Sequence, residues 1–409
     1  VRALLLGERA GPVTAAHMRQ LERLIATGDS AASNLLPTAG NRFRLVDSAT
    51  AFADQLVVDI RSAQQHINFT EYAIHPGKEG GPVSAKVLNA LKDAVADGIP
   101  VTAQLDALGS GIALGNRERV QMVQQLRDAG VKVTVRPFSL GRGGLDDARA
   151  AVDHRKIFEI DGRISWSGGM NLVDEWSPWH DLMIRIEGPA SAQLGAVIAA
   201  RSRDLGQQVT AQRIEVLRRG LSAPVDDAQF ATRVLTDGNR HRRELSDAFV
   251  AATRTAKDRF WLMDPYLSDP RAMREVVGAA ERLGPDAHLF LSTKVTGGGQ
   301  LQDVFTDPLR RAWAYKFAEA GGEVHVTPSF SHAKGWIIDD VAGVGSHNKD
   351  RSSMRRSYEN LVATNDPGAV ALLESAMQHQ RGVSTQASND TVAGWRNLAR
   401  VRDAFNLQY

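Results

Sequence analysis

Apolar positions along this chain switch period repeatedly, and the switches mark out alternating helices and strands. Met18, Leu21, Leu24 and Ile25 recur at helical spacing within residues 13–27, while residues 30–41, rich in Ser, Asn, Pro and Gly, read as a loop. From Phe43 onward the pattern becomes α/β. Residues 48–65 read as a helix and 66–72 as a strand, then 84–97 as a helix and 100–105 as a strand, then 116–129 as a helix and 131–137 as a strand. The second half repeats the order, with helices over 243–257, 271–283 and 307–320, each followed by a strand, at 260–266, 288–292 and 323–327. Two further helices are expected at 369–380 and 392–405.

The repetition extends to local sequence. Glu71-Tyr72-Ala73-Ile74 aligns with Asp264-Pro265-Tyr266-Leu267, and Asp128-Ala129-Gly130-Val131 with Ala320-Gly321-Gly322-Glu323. A unit of about 200 residues is therefore duplicated, far longer than a solenoid period. The expected organisation is a helical preface at 1–41, a first lobe at 42–205, a linker at 206–238, a second lobe at 239–365 and a helical tail at 366–409. The linker assignment rests on Gly206-Gln207-Gln208, Ser222-Ala223-Pro224 and Asp237-Gly238-Asn239, which interrupt the periodicity.

Composition adds limits rather than a function. At 409 residues with 43% hydrophobic and 23% charged content, the chain can fill more than one core. A net charge of +2 permits a phosphate-bearing partner without demanding one. With no cysteine, disulfides and thiolate metal sites are excluded. No apolar run approaches the ~20 residues needed to span a bilayer. Val1–Leu6 is too short for a signal sequence, so a cytoplasmic or peripheral-membrane location is expected, with secretion after removal of a signal left open.

The chemistry is concentrated in one pattern that occurs twice. His154-Arg155-Lys156-Ile157-Phe158-Glu159-Ile160-Asp161 is followed by Gly168-Gly169-Met170-Asn171, and His332-Ala333-Lys334-Gly335-Trp336-Ile337-Ile338-Asp339 by Gly345-Ser346-His347-Asn348. Each reads H-x-K-x4-D, then two small residues and an Asn. On extended chain, His and Lys two apart point to the same face. Asp161 and Asp339 fall between apolar runs, where an Asp reads as a hairpin-turn scaffold, although as members of the motif both stand among the candidate catalytic residues.

These residues resemble the phospholipase D superfamily, and within it the bacterial cardiolipin-synthase branch, over roughly residues 42–365. The first motif and its flanks carry the closer likeness. In the second, Asn348-Lys349-Asp350-Arg351-Ser352-Ser353 replaces the branch's N-L-D-x-R-S, and His180 stands where Arg is more usual. The resemblance implies two duplicated lobes, each a mixed sheet flanked by helices, with both motifs meeting in one active site at a pseudo-twofold interface. It implies His154 as nucleophile on phosphorus and His332 as general acid and then base. Lys156, Lys334, Asn171 and Asn348 would hold the phosphodiester oxygens. Asp181 and Glu359 each stand 27 residues after a motif histidine and are expected to orient the imidazoles.

No cofactor or metal is expected: protonated Lys is no ligand, Cys is absent and H-E-x-x-H does not occur. Gly141-Arg142-Gly143-Gly144 and Gly297-Gly298-Gly299 lack G-K-[ST] and read as turns or mouth loops. Trp166, Trp176 and Trp179 stand near the first motif as packing or as the wall of an acyl or head-group pocket. The reading favoured is a phosphatidyltransferase or phospholipase D taking a glycerophospholipid and an alcohol acceptor at a membrane surface, with a monomer sufficient for one active site. A metal-independent nuclease is the alternative, disfavoured by the absence of long basic tracts with interleaved aromatics. An inactive lipid-binding scaffold is the non-enzymatic alternative.

Overall fold

A computed structural model describes residues 1–7, 11–29, 35–76, 81–137, 152–227, 229–238, 242–292, 300–387 and 389–404. Both glycine-rich loops, 141–144 and 297–299, lie outside these residues. The strands are β1 Arg42–Val46, β2 Ile67–Glu71, β3 Val101–Asp106, β4 Lys132–Arg136, β5 Ile157–Ile160, β6 Ile164–Gly168 and β7 Met183–Glu187 in the first sheet. The second sheet holds β8 Thr232–Gly238, β9 Arg242–Arg243, β10 Phe260–Met263, β11 Ala287–Ser292, β12 Glu323–Thr327, β13 Gly335–Ile338, β14 Val341–Gly345, β15 Glu359–Thr364 and β16 Thr385–Gln386.

The first sheet runs β1-β7-β6-β5-β2-β3-β4 and the second β9-β8-β15-β14-β13-β10-β11-β12-β16. Remove the short edges β9 and β16 and the two orders coincide strand for strand. In each, three parallel strands (β2, β3, β4 and β10, β11, β12) join an antiparallel run through the motif hairpin (β5–β6 and β13–β14). The fold is α/β, and the duplication seen in sequence is a duplication of topology.

The helices follow from amphipathic periodicity and polar caps. Ser48, Asn116, Asp269 and Asp366 accept from first-turn amides of helices Ala49–Arg61, Arg117–Asp128, Pro270–Leu283 and Pro367–Val383. The helix Pro189–Asp204 is buried almost throughout its length. Its run of Leu194, Ala196, Val197, Ile198, Ala199 and Ala200 joins Ile157, Leu182, Ile184, Trp261, Met263, Phe290, Ile337 and Val362 in one core, to which both sheets contribute. The two lobes are thus fused by apolar packing as well as by chain.

The stretch 206–238, expected as a linker, is more ordered than its turn signals suggest. It holds the helix Ala211–Leu221 and the whole of β8, which pairs antiparallel with β15 and occupies the place that β1 occupies in the first sheet. The misleading signal is Asp237-Gly238. Rather than breaking the strand, Asp237 turns its carboxylate onto the amides of Leu245 and Ser246 and caps the next helix. The strand β8, Thr232–Gly238, is thus a member of the second sheet.

Candidate active site

Each motif is delivered by a hairpin. Phe69 stacks on Phe158 at 4.8 Å and Trp166 packs edge-on to Phe52, so β2, β5 and β6 are locked under a buried aromatic layer. Trp166 donates to Asp59 at 2.7 Å within that layer and belongs to the core rather than to a pocket wall. At the far end of each hairpin, Asp161 and Asp339 adopt φ of 57° and 53°, the left-handed conformation an Asp tolerates. Asp161 accepts from the amides of Gln64, Gln65 and His66 at 2.8–2.9 Å, and Asp339 from those of Lys257 and Asp258 at 2.9 Å. Seven residue steps of largely extended chain, at about 3.3 Å each, separate these carboxylates from the motif histidines. The two carboxylates tie the hairpin turns to the short segments that lead into β2 and β10.

The histidines lie at the opposite end, where the lobes exchange contacts in matched pairs. Asp153 bridges to Tyr358, and Ser331 bridges to His180. In both cases, the residue before the motif histidine of one lobe meets the residue before the carboxylate of the other. The side chains then cross over. Nδ1 of His332 lies 2.7 Å from Oδ2 of Asp181, and Nδ1 of His154 lies 3.1 and 3.3 Å from the two oxygens of Glu359. Each carboxylate thus meets the histidine of the opposite repeat. An Nδ1–H held by a carboxylate leaves Nε2 as the nitrogen that reacts.

The carboxylates are themselves held. Leu182 N donates to Asp181 at 2.7 Å, and Ser346 Oγ donates to Glu359. Gly169 occupies the place of Ser346 in the first copy; a Cβ there would lie 2.1 Å from Asp181 Oδ1, so the carboxylate needs that glycine. Burial raises both acids, but nearby cations more than offset it. The Lys334 and His332 charges and the His332 hydrogen bond hold Asp181 below the usual range, and His154 chiefly holds Glu359 down to about 2.

Lys156 and Lys334 are buried, with Nζ donating to the carbonyls of His154 and His332 respectively. Burial pushes both down; for Lys334 the fall reaches about 7, deepened by the Lys156 charge and opposed by Asp181. Burial and Lys334 likewise push His332 down to about 4, against Asp181. Such a cluster favours an arriving anion. Asn171 is buried with Oδ1 accepting from Ala73 N at 3.2 Å, which turns its amide nitrogen away from that contact. Asn348 is buried too, and its Oδ1 has no hydrogen-bond partner among the described residues.

Around this core stand residues that motif spacing does not single out. Tyr72 packs edge-on to His154 at 4.7 Å and beneath Lys156 Nζ at 5.0 Å; Tyr266 packs edge-on to His332 at 6.2 Å. Glu71 is fully buried beside Lys156 and is pushed well up by burial. Asp264, pushed up to about 6 by burial, accepts from the Lys349 amide at 3.0 Å and lies 3.4 Å from its Nζ. The aligned segments Glu71–Ile74 and Asp264–Leu267 carry the sequence signal for all four. Lys349 is buried against Phe249 at 4.6 Å. Trp176 and Trp179 stack at 5.0 Å, and Trp179 reaches 5.8 Å from the His332 ring, forming one wall. Behind His154, fully buried Arg155 bonds Asp153 and Asp29, and Arg201 and Arg242 close the network. His180 binds Ser331 Oγ at 2.8 Å and so serves the lobe junction.

A doubled α/β unit that brings two His-Lys pairs together across a pseudo-twofold junction defines the phospholipase D class of folds. The family model described as "Cardiolipin synthase, PLD-like domain" matches residues 56–199 and 249–381, and the chain belongs to that family. It is similar to cardiolipin synthase A of Pseudomonas fluorescens (strain SBW25), 26% identical over 374 residues that span 89% of this chain and 73% of the relative. It is also similar to a cardiolipin synthase of Listeria welshimeri, 24% identical over 372 residues, 88% of this chain and 72% of the relative. The crystal structure of phosphatidylserine synthase from Haemophilus influenzae Rd KW20 shares the fold, with TM-score 0.65 and 12% identity over 96% of this chain and 98% of that one.

Proposed function

We propose that this protein is a phosphatidyltransferase of the phospholipase D type, acting on glycerophospholipids and passing the phosphatidyl group to an alcohol. The observation that carries the reading is the reciprocal pairing of His154 with Glu359 and of His332 with Asp181. Two imidazoles, each oriented by a carboxylate beside a buried Lys, match a two-step displacement at phosphorus.

In the first step, His154 Nε2 attacks phosphorus. The bond to the leaving alkoxide breaks, and His332 Nε2–H gives that oxygen its proton. In the second, His332 takes the proton of an acceptor hydroxyl, whose oxygen attacks phosphorus and releases His154. Lys156, Lys334, Asn171 and Asn348 neutralise the equatorial oxygens as charge develops. Arrival of the phosphodiester anion supplies the negative charge the cluster lacks, so that Lys334 and His332 regain their protons on binding. His154 as attacking group, rather than His332, follows the family pattern.

Among the described residues no helix is long and apolar enough to cross a membrane. Substrate would be met at a lipid surface, with Trp176 and Trp179 as the wall against it. The donor we propose is phosphatidylglycerol and the acceptor a polyol or lipid alcohol, in keeping with relatives named cardiolipin synthase. The test is product identity by mass spectrometry with phosphatidylglycerol and increasing glycerol. The expected outcome is a transferred product beside some phosphatidic acid. Phosphatidic acid alone at every concentration would make the protein a hydrolase, and cleavage of DNA with no lipid turnover would make it a nuclease.

A further inference from the structure

A second cluster of titratable side chains lies outside the catalytic residues. On β11 and β12, His288 pairs with Glu323 in register and Phe290 with His325, so both histidines and Glu323 project from one face of the sheet. Trp261, paired with His288 from β10, packs edge-on to it at 4.8 Å, and Phe290 stacks on His325 at 5.0 Å. Both histidines are buried, and Glu323 sits at the solvent edge with 22% of its side chain exposed.

Three donor atoms converge there. His288 Nδ1 lies 2.9 Å from His325 Nε2 and 3.3 Å from Glu323 Oε2, and His325 Nε2 lies 3.6 Å from the same oxygen. Zinc bonds of about 2.0–2.1 Å in a tetrahedron require donor atoms roughly 3.3 Å apart. The triangle already has those dimensions. A simple hydrogen-bonded histidine pair accounts for the shortest side of that triangle but not for the carboxylate oxygen near both nitrogens.

We infer that His288, His325 and Glu323 form a binding site for a divalent transition-metal ion of the zinc type, with solvent at the fourth position beside Glu323. Two imidazoles and a carboxylate are a donor set suited to such an ion. His288 Nδ1 and His325 Nε2 share one proton across their 2.9 Å contact, and binding needs that proton to move to an outward-facing nitrogen. Arg381 donates to Glu323 Oε2 at 3.0 Å and fixes the carboxylate, while its charge moderates affinity for a cation. The ion would clamp β11 to β12 where β16 closes the sheet, and it would play no part in turnover.

The experiment is a Co2+ titration of the chelator-stripped full chain, read by visible absorption, followed by Zn2+ displacement and elemental analysis after gel filtration. One equivalent with tetrahedral Co2+ bands is expected. His325→Gln and Glu323→Gln should each weaken binding by more than the roughly 10- to 100-fold that loss of an outer-shell partner costs, and Glu323, at the solvent edge, can be changed without disturbing the core. The double variant His154→Ala/His332→Ala should bind as the parent does. Absence of stoichiometric metal, or bands that survive Glu323→Gln and His325→Gln but vanish in the His154/His332 variant, would overturn the assignment. Metal binding is independent of the phosphatidyltransferase reading, because neither readout involves lipid.

Discussion

The carboxylate of Asp181 lies 2.7 Å from the imidazole of His332, 151 residues away in the other repeat. Its counterpart Glu359 reaches back to His154, so each motif histidine takes its carboxylate from the other repeat.

Asp181→Asn and Glu359→Gln should keep the fold and lower kcat by roughly 10³–10⁴-fold, the loss seen when a catalytic imidazole is left in the wrong tautomer. The amide retains size and hydrogen bonding, so KM for lipid should change far less than kcat. Equal loss in both parameters would point to a structural role instead.

His154→Ala and His332→Ala should each cut turnover by roughly 10⁴-fold or more. With His332 removed and an activated leaving group supplied, acid-labile phosphoryl label should accumulate on His154. Label found on His332 in the converse variant, and none on His154, would exchange the two roles.

The pH dependence follows from Lys334. It is pushed down to about 7 in the free protein and binds phosphate only when protonated. Its useful form is therefore present below that value and lost as pH rises through it, so kcat/KM should fall on the alkaline side near pH 7. Bound phosphodiester raises the Lys, so the alkaline limb of kcat should lie at higher pH. Initial-rate profiles of both parameters check this, and coincident limbs would sink it.

Stability should respond to acid in the opposite sense. His288, His325 and His332 are pushed down to about 4, and His347 well below its usual value, all by burial. Below about pH 6.5 each of these imidazoles takes up a proton in the unfolded chain that it refuses in the folded one, and so costs stability as pH drops from about 6.5 towards 4. Asp237 and Asp264, pushed up to about 7 and about 6 by burial, act in the opposite sense. Comparing urea midpoints at pH 7.5 and pH 5.0 between the parent and His332→Ala isolates one imidazole. The change on going to pH 5.0 should be more favourable in the variant, and equal changes would sink the assignment.

Halves cut on either side of Thr232 should be inactive alone, each lacking the carboxylate its histidine needs. Activity in an isolated first half would require two copies to pair with each other.

Alternating periods make the strands and helices legible in the sequence, because each sheet is buried and each helix amphipathic. The strand β8 escapes because Asp237-Gly238 looks like a turn, whereas its carboxylate caps a helix across the bend. The motif makes His154, Lys156, His332 and Lys334 legible. The crossing of Asp181 and Glu359 is not, since equal spacing of 27 residues in both copies says that a carboxylate is available and not which histidine it serves. Asp161 and Asp339 carry the same warning in reverse: regular spacing marks them, and only the amides around them reveal a scaffold. The His288–Glu323–His325 cluster has no linear signature, because its ligands come from neighbouring strands separated by a helix.

Crossed pairing also bears on how such a chain diversifies. In a symmetric pair of identical subunits, any substitution beside the site appears twice and must suit both roles at once. One continuous chain removes that constraint. Ser346 stands opposite Gly169, Glu359 opposite Asp181 and Lys349 opposite Leu172, so equivalent positions of the two repeats carry different side chains. Covalent fusion thereby lets two histidines of common descent acquire different neighbours, and with them different trades.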